Sequence, residues 1–155
     1  MSLANKIKTI KFQIDTFASG NPALIPMANA IKAEWDMEED AKTVVRENRR
    51  AELNRMLHAT RAFDTGLRMF LDKFGHRGPN SHSITDYVGD LQRNVTARTG
   101  FRQLNGNIPP KIKEEVTDKR NSICHASGAF PTAQEADFVI SRILEYYNLV
   151  LGLEK

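Results

Sequence analysis

The chain has 155 residues, room for one domain that buries roughly 70% of its unfolded surface but not for two independent cores. With 41% apolar and 26% charged residues, six prolines and nine glycines, the composition excludes disordered, low-complexity and collagen-like classes. The single cysteine, Cys124, excludes an internal disulfide, and a balance of 22 basic against 19 acidic residues permits a polyanionic partner without demanding one.

These bounds predict one cytoplasmic domain over residues 1–155, in a compartment where thiols stay reduced. No apolar run approaches the roughly 18 residues of a membrane span, and the N-terminus has no continuous apolar core of the export type. No membrane partner is expected.

Leu3, Ile7, Ile10, Ile14 and Phe17 recur at spacings of three and four, the stripe of an amphipathic helix ending near Gly20. Pro22 and Pro26 suit a turn or the first turn of a second helix through Ala28, Ile31 and Trp35. The acidic run Glu38, Glu39 and Asp40 then reads as a solvated turn or a fresh N-terminus. From about Asp40 to Phe74 no proline intervenes, and Leu53, Met56, Leu57, Phe63, Leu67, Phe70, Leu71 and Phe74 keep a helical period. One long helix is predicted there, closed by Gly75. Ile84, Tyr87, Val88, Leu91 and Val95 mark a further helix from near Ser83 that stops before Gly100. A polar loop leads to Pro109 and Pro110, which suit entry into a helix carrying Ile112, Val116 and Ile123. After a break at Ser127-Gly128, Thr132 to Glu135 matches a capping box and opens the last helix, from Ala136 to Leu151. No segment alternates with period two. The predicted fold is an all-α, up-and-down bundle of about five to six helices, with Trp35 and the helically spaced phenylalanines in its core. Gly66 and Gly89 lie inside helical stretches, where close packing and a tolerated surface glycine are both open readings.

The informative stretch is Arg120-Asn121-Ser122-Ile123-Cys124-His125, near the end of the penultimate helix. Arg120 is a permanent cation whose fork fits phosphate oxygens, and imidazole is the side chain best able to exchange protons near neutral pH. Those are the two chemistries RNA cleavage needs. On an ideal helix a five-residue offset places Arg120 and His125 roughly 140° apart; an unwound last turn before Ser127-Gly128 would bring them together, and Arg120 is long enough to reach across. Asn121 lies four residues before His125, on the same face.

In these residues the chain resembles the HEPN superfamily, all-helical domains whose signature is an arginine, a polar residue often asparagine, and a histidine four to six residues after the arginine. Arg120, Asn121 and His125 match it, in a penultimate helix followed by a loop and one more helix, so the likeness covers the architecture of nearly the whole chain. The resemblance implies an endoribonuclease that uses no metal and no cofactor, in a toxin–antitoxin or phage-defence setting. RNA is the implied substrate and an antitoxin protein an implied partner. It also implies a homodimer in which the signature helices of two subunits face each other across one active site. The ribose 2′-hydroxyl would attack the adjacent phosphorus, leaving a 2′,3′-cyclic phosphate and a 5′-hydroxyl. His125 would serve as general acid or base with its symmetry mate taking the complementary step, Arg120 would hold the charge growing on the phosphoryl oxygens, and Asn121 would position His125 or the phosphate. HEPN toxins paired with a nucleotidyltransferase typically carry a modified tyrosine two residues beyond the histidine. Here Ser127 stands there.

Two competing readings accompany this one. Arg120 can instead pair with Glu115 or Asp118 at a solvated helix end, and the whole chain can be a non-catalytic HEPN scaffold that binds a protein or nucleic acid. Arg46, Arg50 and Arg61, within an arginine-rich stretch that also holds Arg49, Arg55 and Arg68, can share one RNA-facing side or simply lace an exposed helix. An acidic residue from an earlier helix often backs the HEPN pair. Glu47, Glu52 and Asp64 are the candidates, and sequence does not choose among them. His76 and His82 share a loop without zinc-ligand spacing, and Cys124 is read as a buried or half-buried thiol.

Overall fold

The architecture is that of a computed structural model, which describes residues 1–44, 48–96, 98–125 and 130–155, without the side chains of 43–44, 48–49 and 124–125. The Ser2 hydroxyl accepts the Asn5 amide and opens α1 (Leu3–Ala18), whose buried Ile7, Ile10, Ile14 and Phe17 are the predicted stripe. A single 3₁₀ turn, Pro22–Leu24, leads into α2 (Ile25–Val44). Helix α3 (Asn48–Phe74) ends where Gly75 takes φ +70°, and the His76 amide reaches back to the Leu71 carbonyl to close a Schellman-type cap. Ser83 caps α4 (Ile84–Asp90), which widens into a π-helical turn over Leu91–Val95. Pro109 and Pro110 occupy the first turn of α5 (Ile108–Ile112). A second π-helical turn, Lys113–Asp118, joins it to α6 (Lys119–His125). The reciprocal Thr132–Glu135 capping box opens α7 (Ala133–Leu151). Among the described residues an isolated bridge between Phe101 and Glu154 takes the place of any strand, so the chain is an all-α bundle.

Helices α2 and α3 pack antiparallel, since Glu34 meets His58 and Glu38 meets Arg55. Asp36 pairs with Lys11 and Asp15 with Lys32, which sets α1 antiparallel to α2 on its other flank. Helix α7 runs parallel to α3, with Asp137 on Arg55 near one end and Tyr147 over Gly66 further along. Trp35, Phe63, Phe70, Leu67 and Tyr147 fill the space between them. Phe70 stacks on Phe17 and meets Phe74 edge-on, and Phe74 in turn meets Phe101 edge-on, so the segment at Phe101 is anchored by an aromatic ring. Phe12 and Phe138 lie outside this core, Phe12 being 72% exposed.

Two expectations are corrected. The acidic run is neither a turn nor an N-terminus, because α2 passes through it to Val44, and the single helix predicted from Asp40 to Phe74 is the end of one helix and the whole of another. The reason is pairing. The chain reverses between α2 and α3 so that their apolar faces meet, and Glu38, with no exposed surface, is the buried counter-ion of Arg55. Arg55 belongs to neither an exposed charge-laced face nor an RNA-facing one: it is 4% exposed and also bonds Glu52 and Asp137 at 2.6 Å each. Burial alone would push Arg55 toward neutrality, but hydrogen bonds to Glu38 and Asp137 outweigh it and hold the cation.

Of the two internal glycines, Gly66 is a packing glycine. A Cβ there would lie 2.5 Å from Tyr147 Cζ, whereas at Gly89 its nearest neighbours would be atoms of the movable Arg93 guanidinium.

Candidate active site

Asn54, His58, Arg61 and Thr65 follow one another on α3 at offsets of four, three and four, which places them on one polar face of that helix. That face forms the floor of an open cleft of about 670 Å³. Glu34 of α2 borders it on one side, Thr85 at the start of α4 on another, and Thr117, Arg120 and Asn121 complete the rim.

Arg120 is half-buried, and its Nη1 donates to Asn121 Oδ1 at 3.1 Å. Its Nε is buried without a hydrogen-bond partner, and the guanidinium pairs with no carboxylate among the described residues. The two acids that a solvated helix end would use are engaged elsewhere. Glu115 accepts from the Tyr146 hydroxyl and pairs with Arg142, while Asp118 pairs with Lys113 at 2.8 Å. Burial first, and the Glu115 carboxylate second, push the Tyr146 hydroxyl well above its ordinary range, so it stays a donor.

Asp64 is the one sequence-proposed acid among the described residues that lines this cleft. Burial raises its carboxyl above the usual range, and Arg68 offsets part of that rise. Glu52 instead serves Arg55, and Glu47 lies outside the described residues. Of the three proposed RNA-binding arginines, Arg61 lines the cleft, Arg50 is exposed near the start of α3 and does not, and Arg46 lies outside the described residues. The backbone of α6 stays helical through His125, so the unwound last turn expected at that residue does not form. The His125 and Cys124 side chains and the Ser127-Gly128 break lie outside the described residues.

The cleft also holds a pair that sequence reasoning passed over. His58 Nδ1 lies 2.7 Å from Glu34 Oε2, and the second oxygen of Glu34 lies 3.9 Å from Arg61 Nη1. A signal existed in the polar stripe of Asn54, His58, Arg61 and Thr65, but the partner of His58 is 24 residues away on another helix. His76, by contrast, is structural: its carbonyl accepts from Asn94 and its ring packs edge-on to Phe101. No group of three or more His, Cys, Asp and Glu side chains gathers to hold a metal among the described residues, and no helix there is long and apolar enough to cross a membrane. Comparison with protein-family models, with curated proteins and with solved structures gives no match.

Proposed function

We propose that this chain is an endoribonuclease of the HEPN type, acting on RNA by 2′-hydroxyl attack in a toxin–antitoxin or phage-defence setting. The observation that carries the reading is the state of Arg120. A half-buried guanidinium without a carboxylate partner among the described residues opens onto a cleft that Asn121 and Arg61 share. A cation left uncompensated at the wall of a cleft favours an anion there, and a phosphodiester supplies one. The geometry of a guanidinium fork suits two phosphoryl oxygens.

In the mechanism that follows, Arg120 gathers the charge building on those oxygens, Asn121 holds the Arg120 fork in place through its carbonyl, and His125 exchanges a proton with the reacting oxygens. The attack forms the O2′–P bond and breaks the P–O5′ bond, which accounts for every atom without a further reactant. A homodimer that joins two such clefts would enlarge the binding surface, as the superfamily resemblance implies.

Purified protein is incubated with single-stranded RNA in chelator, beside His125→Ala and Arg120→Ala. Cutting that yields 2′,3′-cyclic phosphate ends and falls roughly 100-fold or more in either variant is the expected result. Equal degradation by the parent and His125→Ala preparations, or continued cutting where 2′-deoxyribose stands at the scissile position, overturns it and favours the non-catalytic scaffold.

A further inference from the structure

We infer that His58, held by Glu34, is a second catalytic histidine in this cleft and the general base for the 2′-hydroxyl, an assignment that rests on the ribonuclease reading above. The Glu34 carboxylate takes a hydrogen bond from His58 Nδ1 at 2.7 Å, so the ring carries its proton on Nδ1 and presents the Nε2 lone pair. The ring's hydrogen bond among the described residues is the one at Nδ1, and the ring lines the same cleft as Arg120 and Asn121. A carboxylate behind an imidazole whose other nitrogen is left free both selects the tautomer and stabilises the imidazolium once a proton arrives. Here both members are about four-fifths buried, with 21% and 19% of their side-chain surface exposed, so the carboxylate acts on the ring with little screening by solvent. The exposed Arg61 guanidinium lies 3.9 Å from the far oxygen of Glu34.

The chemistry balances without a further reactant. Neutral His58 Nε2 takes the 2′-hydroxyl proton as O2′ bonds to phosphorus. The P–O5′ bond breaks, and O5′ leaves with a proton from the acid, His125 in the reading above. The cyclic phosphate departs with the 5′-hydroxyl fragment, and proton exchange with water returns both rings to their starting states. The complementary base then comes from α3 of the same chain, and no second subunit is needed for it.

The test uses the full chain and two RNAs that differ at one atom, the scissile O5′ being oxygen or sulfur. A thiolate leaves without being protonated, so sulfur restores a lost acid but not a lost base. His58→Ala, and His58→Gln as a variant closer in size, are expected to cut both RNAs about 100-fold to 10,000-fold more slowly than the parent. His125→Ala is expected to recover on the sulfur RNA. Glu34→Ala should lose about tenfold or more on both. Recovery of the His58 variants on sulfur would make His58 the acid and overturn the assignment, as would parental rates on the oxygen RNA. A parent that cuts neither RNA fails the ribonuclease reading itself, and a parent that cuts while His58→Ala cuts equally fails this inference alone. Nitrogen-15 spectra of the imidazoles supply a readout independent of activity. The signals lost in His58→Gln should report the Nδ1–H tautomer in the parent and a mixture in Glu34→Ala; a parent dominated by Nε2–H overturns the arrangement.

Discussion

Replacing Arg55 by methionine removes the cation at the junction of α2, α3 and α7 and leaves the fully buried Glu38 carboxylate to fend for itself. Its Oε1 loses a 2.8 Å bond from Arg55 Nε, its Oε2 has no hydrogen-bond partner among the described residues, and Lys42 remains 4.0 Å away with a partly exposed side chain. Glu52 and Asp137 lose 2.6 Å bonds too, but both reach water and are resolvated. Breaking a buried pair from one side costs about 3–5 kcal/mol, and the residual Lys42 contact places this case near ~3 kcal/mol. In a domain of this size each kcal/mol shifts the melting temperature by about 2–4 °C, so a fall of roughly 6–12 °C is expected by far-ultraviolet circular dichroism. The double variant Glu38→Met with Arg55→Met removes both charges from the apolar interior and should recover most of the loss, because well-packed apolar pairs replace buried ion pairs at little net cost. An Arg55→Met protein that melts with the parent would refute the reasoning. So would a double variant whose loss equals the sum of the two single losses, since that leaves no coupling between the pair.

Gly66→Ala gains about 1 kcal/mol of helix propensity but sets a methyl group 2.5 Å from the ring of the fully buried Tyr147, so a net loss of ~1–2 kcal/mol is expected in urea unfolding. A stabilised variant would show that the α3–α7 contact is loose. Asp90 is buried, which by itself raises its carboxyl. Hydrogen bonds from Ser81, the Gly78 amide and Arg93 outweigh that and hold it below the usual range. A carboxylate with a depressed folded value stabilises the fold above its unfolded value, about 3.9, and that contribution is lost as pH falls through the folded value. Asp90→Asn should therefore cost about 1–3 kcal/mol at neutral pH, with the gap to the parent closing in acid. A gap that stays constant with pH contradicts the charge argument.

Local signals were enough for most element boundaries. Ser83 and the Thr132–Glu135 box cap helices by bonding amides three residues on, and Gly75 closes α3, all within a few residues of chain. The reversal between α2 and α3 escaped the same reasoning because neither proline nor glycine marks it. Acidic residues in a row read as solvated unless a distant arginine is known to reach them. The site divides in the same way: Arg120 and Asn121 are neighbours in the chain, whereas His58 and Glu34 acquire meaning only when α2 lies against α3.

What the sequence alone determined is the all-α class, the apolar stripes that become the core, and a cation beside an amide near the end of a short helix. Those depend on backbone geometry and on residues within one or two turns of each other. Tertiary structure alone decided that Glu38 is buried, that Arg55 is a structural cation and that Arg61 lines the cleft while Arg50 does not. It also set Arg120, without a carboxylate partner among the described residues, across one cleft from a carboxylate-held His58. The physical reason is that a charged side chain takes its role from what surrounds it, and the surroundings of each of these come from helices remote in sequence.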